Sequence, residues 1–282
     1  MKKRRIFRNL NDKEFAWVLY DVGNSAYTML ACALIPIWFK AMAIGTKPGQ
    51  LTSDRATAYY SMAIAVITIV VALLGPVCGA ISDYKGMKKI FFTSTVAVGV
   101  CGCILNGFAC QWIVFLLLFA ATKIFYNMSL MFYDSMLNDI TTEERMDEVS
   151  SYGYAWGYLG SCIPFLIALV AYVLGPDMAG IISGKLSMAI GFAVTGLWWL
   201  LVTVPLIKNY KQINYVEKKE HAVGSAFRRI FETIRFIATK DKKVFLSKEK
   251  NHQDFYTSKQ LPPTNSLNSE LCGISSLGTE MK

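Results

Sequence analysis

WVLYDVGNSAYTMLACALIPIWFK, residues 17–40, carries two formal charges, Asp21 and Lys40, and shows no two-residue alternation of apolar and polar positions. A helix needs about 20 mostly apolar residues to cross a bilayer, whereas a membrane-barrel strand is about ten residues long and alternates. With no water to satisfy its backbone in lipid, a run of this kind is predicted to be a spanning helix. Working outward, the apolar stretch extends over 15–43, and 57–82, 90–109, 112–137, 149–174 and 187–207 repeat the pattern, which predicts six transmembrane helices. Three of the six are long enough to imply tilt or helical extension beyond the bilayer. Composition agrees: 54% of residues are hydrophobic, 17% are charged and mean hydropathy is +0.36.

The net charge of +9 lies almost wholly outside these segments, because residues 15–207 hold nine Lys/Arg against ten Asp/Glu. Basic residues that flank apolar stretches fit lipid headgroups and topology, so the charge gives no case for a nucleic-acid partner. The N-terminal tail has six Lys/Arg, the next segment on that side has Lys85, Lys88 and Lys89, and the region after 207 opens with Lys208, Lys211, Lys218 and Lys219. The opposite segments offer Lys47 and Arg55, then none at Cys110-Gln111, then Lys185. The bias predicts both termini in the cytoplasm. The acidic segment DITTEERMDE, residues 139–148, adds one Arg and leaves that assignment unchanged.

Only His221 and His252 occur, both outside the apolar segments, and none of Cys32, Cys78, Cys101, Cys103, Cys110 and Cys162 forms a CxxC pair. No metal site and no cofactor is predicted, and the HExxH and nucleotide-loop patterns of membrane-embedded enzymes are absent, so no enzyme is expected. The predicted organisation is a basic cytoplasmic tail at 1–14, a six-helix domain at 15–207, a linker at 208–246 and a disordered, aberrant tail at 247–282. Within the linker, Phe227, Ile230, Phe231, Ile234 and Ile237 recur at helical spacing opposite Arg228, Arg229 and Arg235, the pattern of an amphipathic helix.

Polar groups inside a bilayer are costly, and each is a candidate for function. Asp21, Asn24, Ser25 and Thr28 share one face of the first span, with Tyr27 close by. This stripe predicts either a solute or proton path or an interhelical hydrogen-bond cluster. Lys123, Asn127 and Asp134 share a face of the fourth span, and Lys123 is expected to pair with a carboxylate or to bind an anionic group. Gly153, Gly157 and Gly160 give the fifth span a small-residue stripe suited to close helix approach.

The segment Gly79-Ala80-Ile81-Ser82-Asp83-Tyr84-Lys85-Gly86-Met87-Lys88-Lys89 sets a small residue, an acid, a turn glycine and a basic pair at fixed offsets. It resembles the G-x-x-x-D-x-x-G-x-[RK]-[RK] signature of the major facilitator superfamily, found between the second and third helices. Gly79, Asp83, Gly86, Lys88 and Lys89 match, while Tyr84 and Met87 stand where basic residues are common. Within that superfamily, residues 17–40 and RMDEVSSYGYAWGYLGS at 145–161 are similar to the vacuole-effluxer-like family, which includes the autophagy-related amino-acid effluxers and their bacterial relatives. The resemblance runs from about residue 14 to about residue 245.

The resemblance implies an all-α membrane protein, half of a major facilitator fold, built as two inverted three-helix repeats. It implies alternating-access transport of an amino acid or similar small polar solute in a bacterial cell membrane. Asp21, Asn24, Ser25, Tyr27, Lys123 and Asn127 would line the path, with Gly79, Asp83, Gly86, Lys88 and Lys89 gating its cytoplasmic side. The family has twelve helices, and KKVFL at 242–246 gives way to SKEKNHQD where a seventh would begin, so a truncated or frameshifted reading frame is expected. The alternative is a non-transporting fragment or scaffold that needs a second six-helix chain or a homodimer beside it in the lipid bilayer.

Overall fold

Asn11 starts the first helix: its side chain accepts from the backbone N–H groups of Lys13 and Glu14, and the Glu14 carboxylate accepts from the Asn11 N–H in return. This reciprocal box satisfies donors that a helix start otherwise leaves open. In a computed structural model of the chain, residues 9–176 and 178–217 are described. They form α1 (Asp12–Ala43), α2 (Ser53–Ser82), α3 (Met87–Asn106), α4 (Trp112–Ile140), α5 (Met146–Val173) and α6 (Gly184–Asn209). All six are long and apolar enough to span a membrane, and no strand longer than an isolated bridge occurs among the described residues. The described residues belong to one compact unit, residues 1–226, and a second unit, 227–282, lies outside them. The amphipathic stretch at 227–237 and the tail at 247–282 therefore also lie outside the described residues.

Several expected boundaries move, and two of the shifts bear on the site. The third span was expected over 90–109, yet α3 starts at Met87, because Gly86 turns the chain with φ +77° and lets the helix begin at once. Lys88 and Lys89 thus sit in the first turn of a helix rather than in a loop. The segment 139–148 is nearly all ordered: α4 runs to Ile140, a 3-10 turn covers Glu143–Arg145, and α5 starts at Met146.

The helices pack in a three-plus-three order. α1 lies against α5 and α6, α4 against α2 and α3, and α3 meets α6. Exchanging the first three helices for the last three maps this pattern onto itself, as two repeats require, and an odd number of spans per repeat inverts the second relative to the first. Aromatic rings fill the centre: Tyr20, Tyr27, Phe92, Phe115, Phe119, Phe192 and Trp199 are fully buried. Where rings do not fill the space, glycine permits closer approach. A Cβ on Gly99 would stand 2.7 Å from the Trp199 ring, and one on Gly191 would stand 2.4 Å from that of Trp38. Van der Waals fit of this kind is the main force between helices in lipid, where burial from water supplies little. α2 and α5 turn apolar faces outward, with Met62, Val66, Ile69 and Leu73 on α2 and Leu159, Leu166 and Val170 on α5 all exposed.

Candidate functional site

The α1–α5 contact shapes the first part of the site. A Cβ on Gly153 would lie 2.9 Å from the Trp17 ring, one on Gly157 2.8 Å from Asp21 Oδ2, and one on Gly160 2.4 Å from Val22 Cγ1. α1 therefore rests on the glycine stripe of α5, and Gly157 leaves the volume that the Asp21 carboxylate occupies. Beside this contact α1, α4 and α5 line an open-sided cavity of about 330 Å³. Asp21, Asn24, Ser25 and Thr28 line it from α1, Tyr133 and Asp134 from α4, and Ser150, Tyr154 and Tyr158 from α5. The polar face read from α1 is thus the floor of a cavity, and Asp134, which sequence reasoning left out of the path, belongs to it. Asn24 Nδ2 donates to Asp21 Oδ1 at 3.0 Å and holds that carboxylate in place. Trp17 stacks on Tyr133 with centroids 4.3 Å apart, and its Nε1 donates to the Tyr133 carbonyl at 3.1 Å.

Tyr27, Lys123 and Asn127 do not line this cavity. Tyr27 is fully buried between Tyr126 and Trp199, with centroids 4.9 and 5.7 Å away. The expected carboxylate partner of Lys123 is not found among the described residues. Its ammonium lies instead 4.5 Å from the Tyr126 centroid and 5.7 Å from that of Tyr27. The negative faces of two aromatic rings attract a cation in a desolvated position, by about 0.5–2 kcal/mol.

The signature between α2 and α3 leads into a second cluster, at the end of the bundle that holds Asn11, the α2–α3 turn and the end of α6. Asp83 caps the C-terminus of α2 and stays exposed, while Lys88 is 5% exposed and places its ammonium 3.8 Å from Asp83 and 3.7 Å from Asp139. Lys88 Nζ also donates to the Ser135 carbonyl at 3.3 Å, and Lys89 Nζ to that of Tyr210 at 3.4 Å. Asp139 was read from sequence only as part of an acidic segment; it is the hub of the cluster. Buried at the end of α4, it accepts from Tyr210 Oη at 2.5 Å, Asn214 N at 2.7 Å and Ile213 N at 3.2 Å. Burial, together with this bond to a carboxylate, pushes the Tyr210 hydroxyl pKa well above its ordinary value.

Residues 210–216 cross the signature turn as a strap. Gln212 Oε1 accepts from Gly86 N at 2.9 Å, its Nε2 reaches the Ser82 and Asp83 carbonyls, and Val216 N donates to the Asp83 carbonyl at 2.8 Å. Gly86 is required by its positive φ, but a Cβ on Gly79 would meet only the end of the Met131 side chain, at 3.9 Å, so no contact among the described residues demands a glycine there. A neighbouring node joins α1 to the segment between α4 and α5. Glu14, 1% exposed, accepts from Thr141 Oγ1 at 2.8 Å and pairs with Arg145 at 3.3 Å. The spacing Asn11-x-x-Glu14 was a legible cap signal, whereas the partnership with Arg145 was not.

No group of three or more His, Cys, Asp or Glu among the described residues could hold a metal ion. The chemistry on offer is charge, hydrogen bonding and aromatic surface within a cavity of mixed polar and apolar lining among membrane-spanning helices.

Known sequences agree with this architecture. The family described as Major Facilitator Superfamily matches residues 18–244. The chain is also 34% identical over 235 residues to the "Uncharacterized MFS-type transporter YxiO" of Bacillus subtilis (strain 168), a match that covers 82% of this chain and 54% of that protein. The chain thus spans about half the length of the curated relative it matches. A family match over most of a chain whose helices pack as two sets of three leaves one assignment: this integral, multi-pass membrane protein belongs to the major facilitator superfamily.

Proposed function

We propose that the chain forms one wall of a secondary active transporter, with the α1–α4–α5 cavity as its solute site and alternating access as its mechanism. The observation that carries this reading is the cavity itself: Asp21, Asn24, Ser25 and Thr28 stand together on a span that is otherwise apolar, and open space lies before them. A purely structural polar cluster would be filled by partner side chains. Of the four, Asn24 bonds Asp21, and Thr28 Oγ1 meets Tyr126 Oη at 2.5 Å, which leaves the remaining acceptor sites of Asp21 facing the cavity. The solute is an amino acid or similar small polar molecule, by resemblance to the vacuole-effluxer-like family. The basic end faces the cytoplasm of a bacterial cell, on the Lys/Arg bias, and the cluster of Asp83, Lys88 and Lys89 steadies that side.

A specific observation favours a second reading, in which six helices do not complete a pathway. Tyr154 and Tyr158 line the cavity yet are 67% and 70% exposed, so the wall is one-sided. A second six-helix chain or a second copy would close it.

Transport in proteoliposomes tests both readings. Saturable amino-acid flux from this chain alone, lost in Asp21→Asn, supports a working pathway. Flux that appears only when a downstream six-helix chain is present supports one half of a split transporter. No flux in either case overturns the transport reading.

A further inference from the structure

We infer that the cavity between α1, α4 and α5 selects solutes that carry a net positive charge, recognised through an ammonium or guanidinium group. This rests on the cavity being the solute site and adds the class of solute. Two carboxylates, Asp21 and Asp134, line the space, and no Lys, Arg or His does. Each is an electrostatic neighbour of the other, and neither has an ion-pair partner among the described residues. A cavity that sets two carboxyl groups together with no basic side chain among its lining favours a cation, which relieves any negative charge they carry, over an anion, which aggravates it.

The second observation is independent of the acids. The Tyr133 hydroxyl is buried and has no hydrogen-bond partner, on a side chain that is 3% exposed and lines the cavity. Its electrostatic neighbours include Asp21, Asp134 and Tyr154, all three on the cavity wall. Such a group is normally satisfied in a folded protein, and a donor bound between the carboxyl groups would give its phenolic oxygen the partner it lacks. Aromatic surface completes the arrangement: the exposed rings of Tyr154 and Tyr158 line the space, and ring faces attract organic cations. The one lysine deep in the fourth span is held elsewhere, over Tyr126 and Tyr27, and so does not neutralise the acids.

The test is calorimetric titration of the purified full chain in lipid nanodiscs with four solutes: cadaverine, lysine, norleucine and 2-aminoadipate. Lysine, norleucine and 2-aminoadipate share a six-carbon skeleton and differ in end group, and cadaverine is lysine without its carboxylate. Cadaverine and lysine are expected to bind, norleucine about tenfold or more weaker and 2-aminoadipate not at all. Asp21→Asn and Asp134→Asn are each expected to weaken cadaverine about tenfold, and Tyr133→Phe about threefold. Norleucine or 2-aminoadipate binding as tightly as lysine would overturn the charge selectivity and leave the polar-solute cavity standing. Cadaverine binding unchanged by the two aspartate variants would place the cation elsewhere and overturn the inference. If none of the four binds to helical, monodisperse protein, both the inference and the solute-site reading fail.

Discussion

The cavity and the strap-crossed end of the bundle use the same residue types to opposite effect. At the strap, Asp139 has an ammonium, a phenol and two backbone N–H groups around it, and Lys88 is shared between two carboxylates and a carbonyl. At the cavity, Asp21 has one amide, and the Asp134 carboxylate and Tyr133 Oη have no hydrogen bond among the described residues; outside it, Lys123 has two ring faces. A buried charge with a full set of partners holds structure, because removing any one strands the rest. A charge with an incomplete set is available to something that arrives later. Completeness of partners, more than burial or residue type, separates the two roles.

The largest effect tests the first half of that contrast. Asp139→Ala leaves Lys88 buried beside a single exposed acid and releases Tyr210, and should destabilise the purified chain by about 3–5 kcal/mol in chemical unfolding. A loss under about 1 kcal/mol would break the comparison. Tyr210→Phe removes one bond to a charged acceptor and should cost about 1.5–3 kcal/mol at neutral pH. Its pH dependence has a definite sign. The folded pKa is raised, so the unfolded state releases its proton first as pH climbs past about 10, and folding stability falls from there upward. The gap between wild type and Tyr210→Phe should therefore narrow above pH 10, and a gap that widens would contradict the bond.

At the cavity the expected effects are smaller in stability and larger in binding. Gly157→Ala places a methyl group 2.8 Å from Asp21 Oδ2 and 3.0 Å from Ser25 Oγ. It should cost about 1–3 kcal/mol and weaken solute binding, because the carboxylate must move to make room. Unchanged stability and unchanged binding would mean that α1 and α5 do not approach this closely. The smallest effect is expected for Lys123→Met, which trades a cation held by aromatic faces for an apolar chain and should change stability by less than about 1 kcal/mol. A loss comparable with that of Asp139→Ala would reveal a carboxylate partner for Lys123 and sharpen the comparison into a single network.

Several features were legible from residues alone. Six spans, the polar face of Asp21, Asn24, Ser25 and Thr28, the glycine stripe of 153, 157 and 160, and the turn at Gly86 each depend on spacing within one segment. Local periodicity records such features. The lysine of the fourth span was legible as an anomaly, but its surroundings were not: a carboxylate partner or a bound anionic group was expected, and two tyrosine rings face its ammonium, one of them from α1. Asp139 and Glu14 went unrecognised as hubs because their partners lie 51 and 131 positions away, Lys88 at one and Arg145 at the other. Asp134 joined the cavity only because α1 and α5 bring their polar faces to the same side of α4.

The sequence by itself determined that this is a six-span helical membrane protein with a basic end, because length, apolarity and Lys/Arg bias are properties of a chain segment in a bilayer whatever its neighbours. Only the tertiary structure decided which acids are structural and which stand open. That depends on which helix faces which, and on whether each charge finds enough partners across the contact.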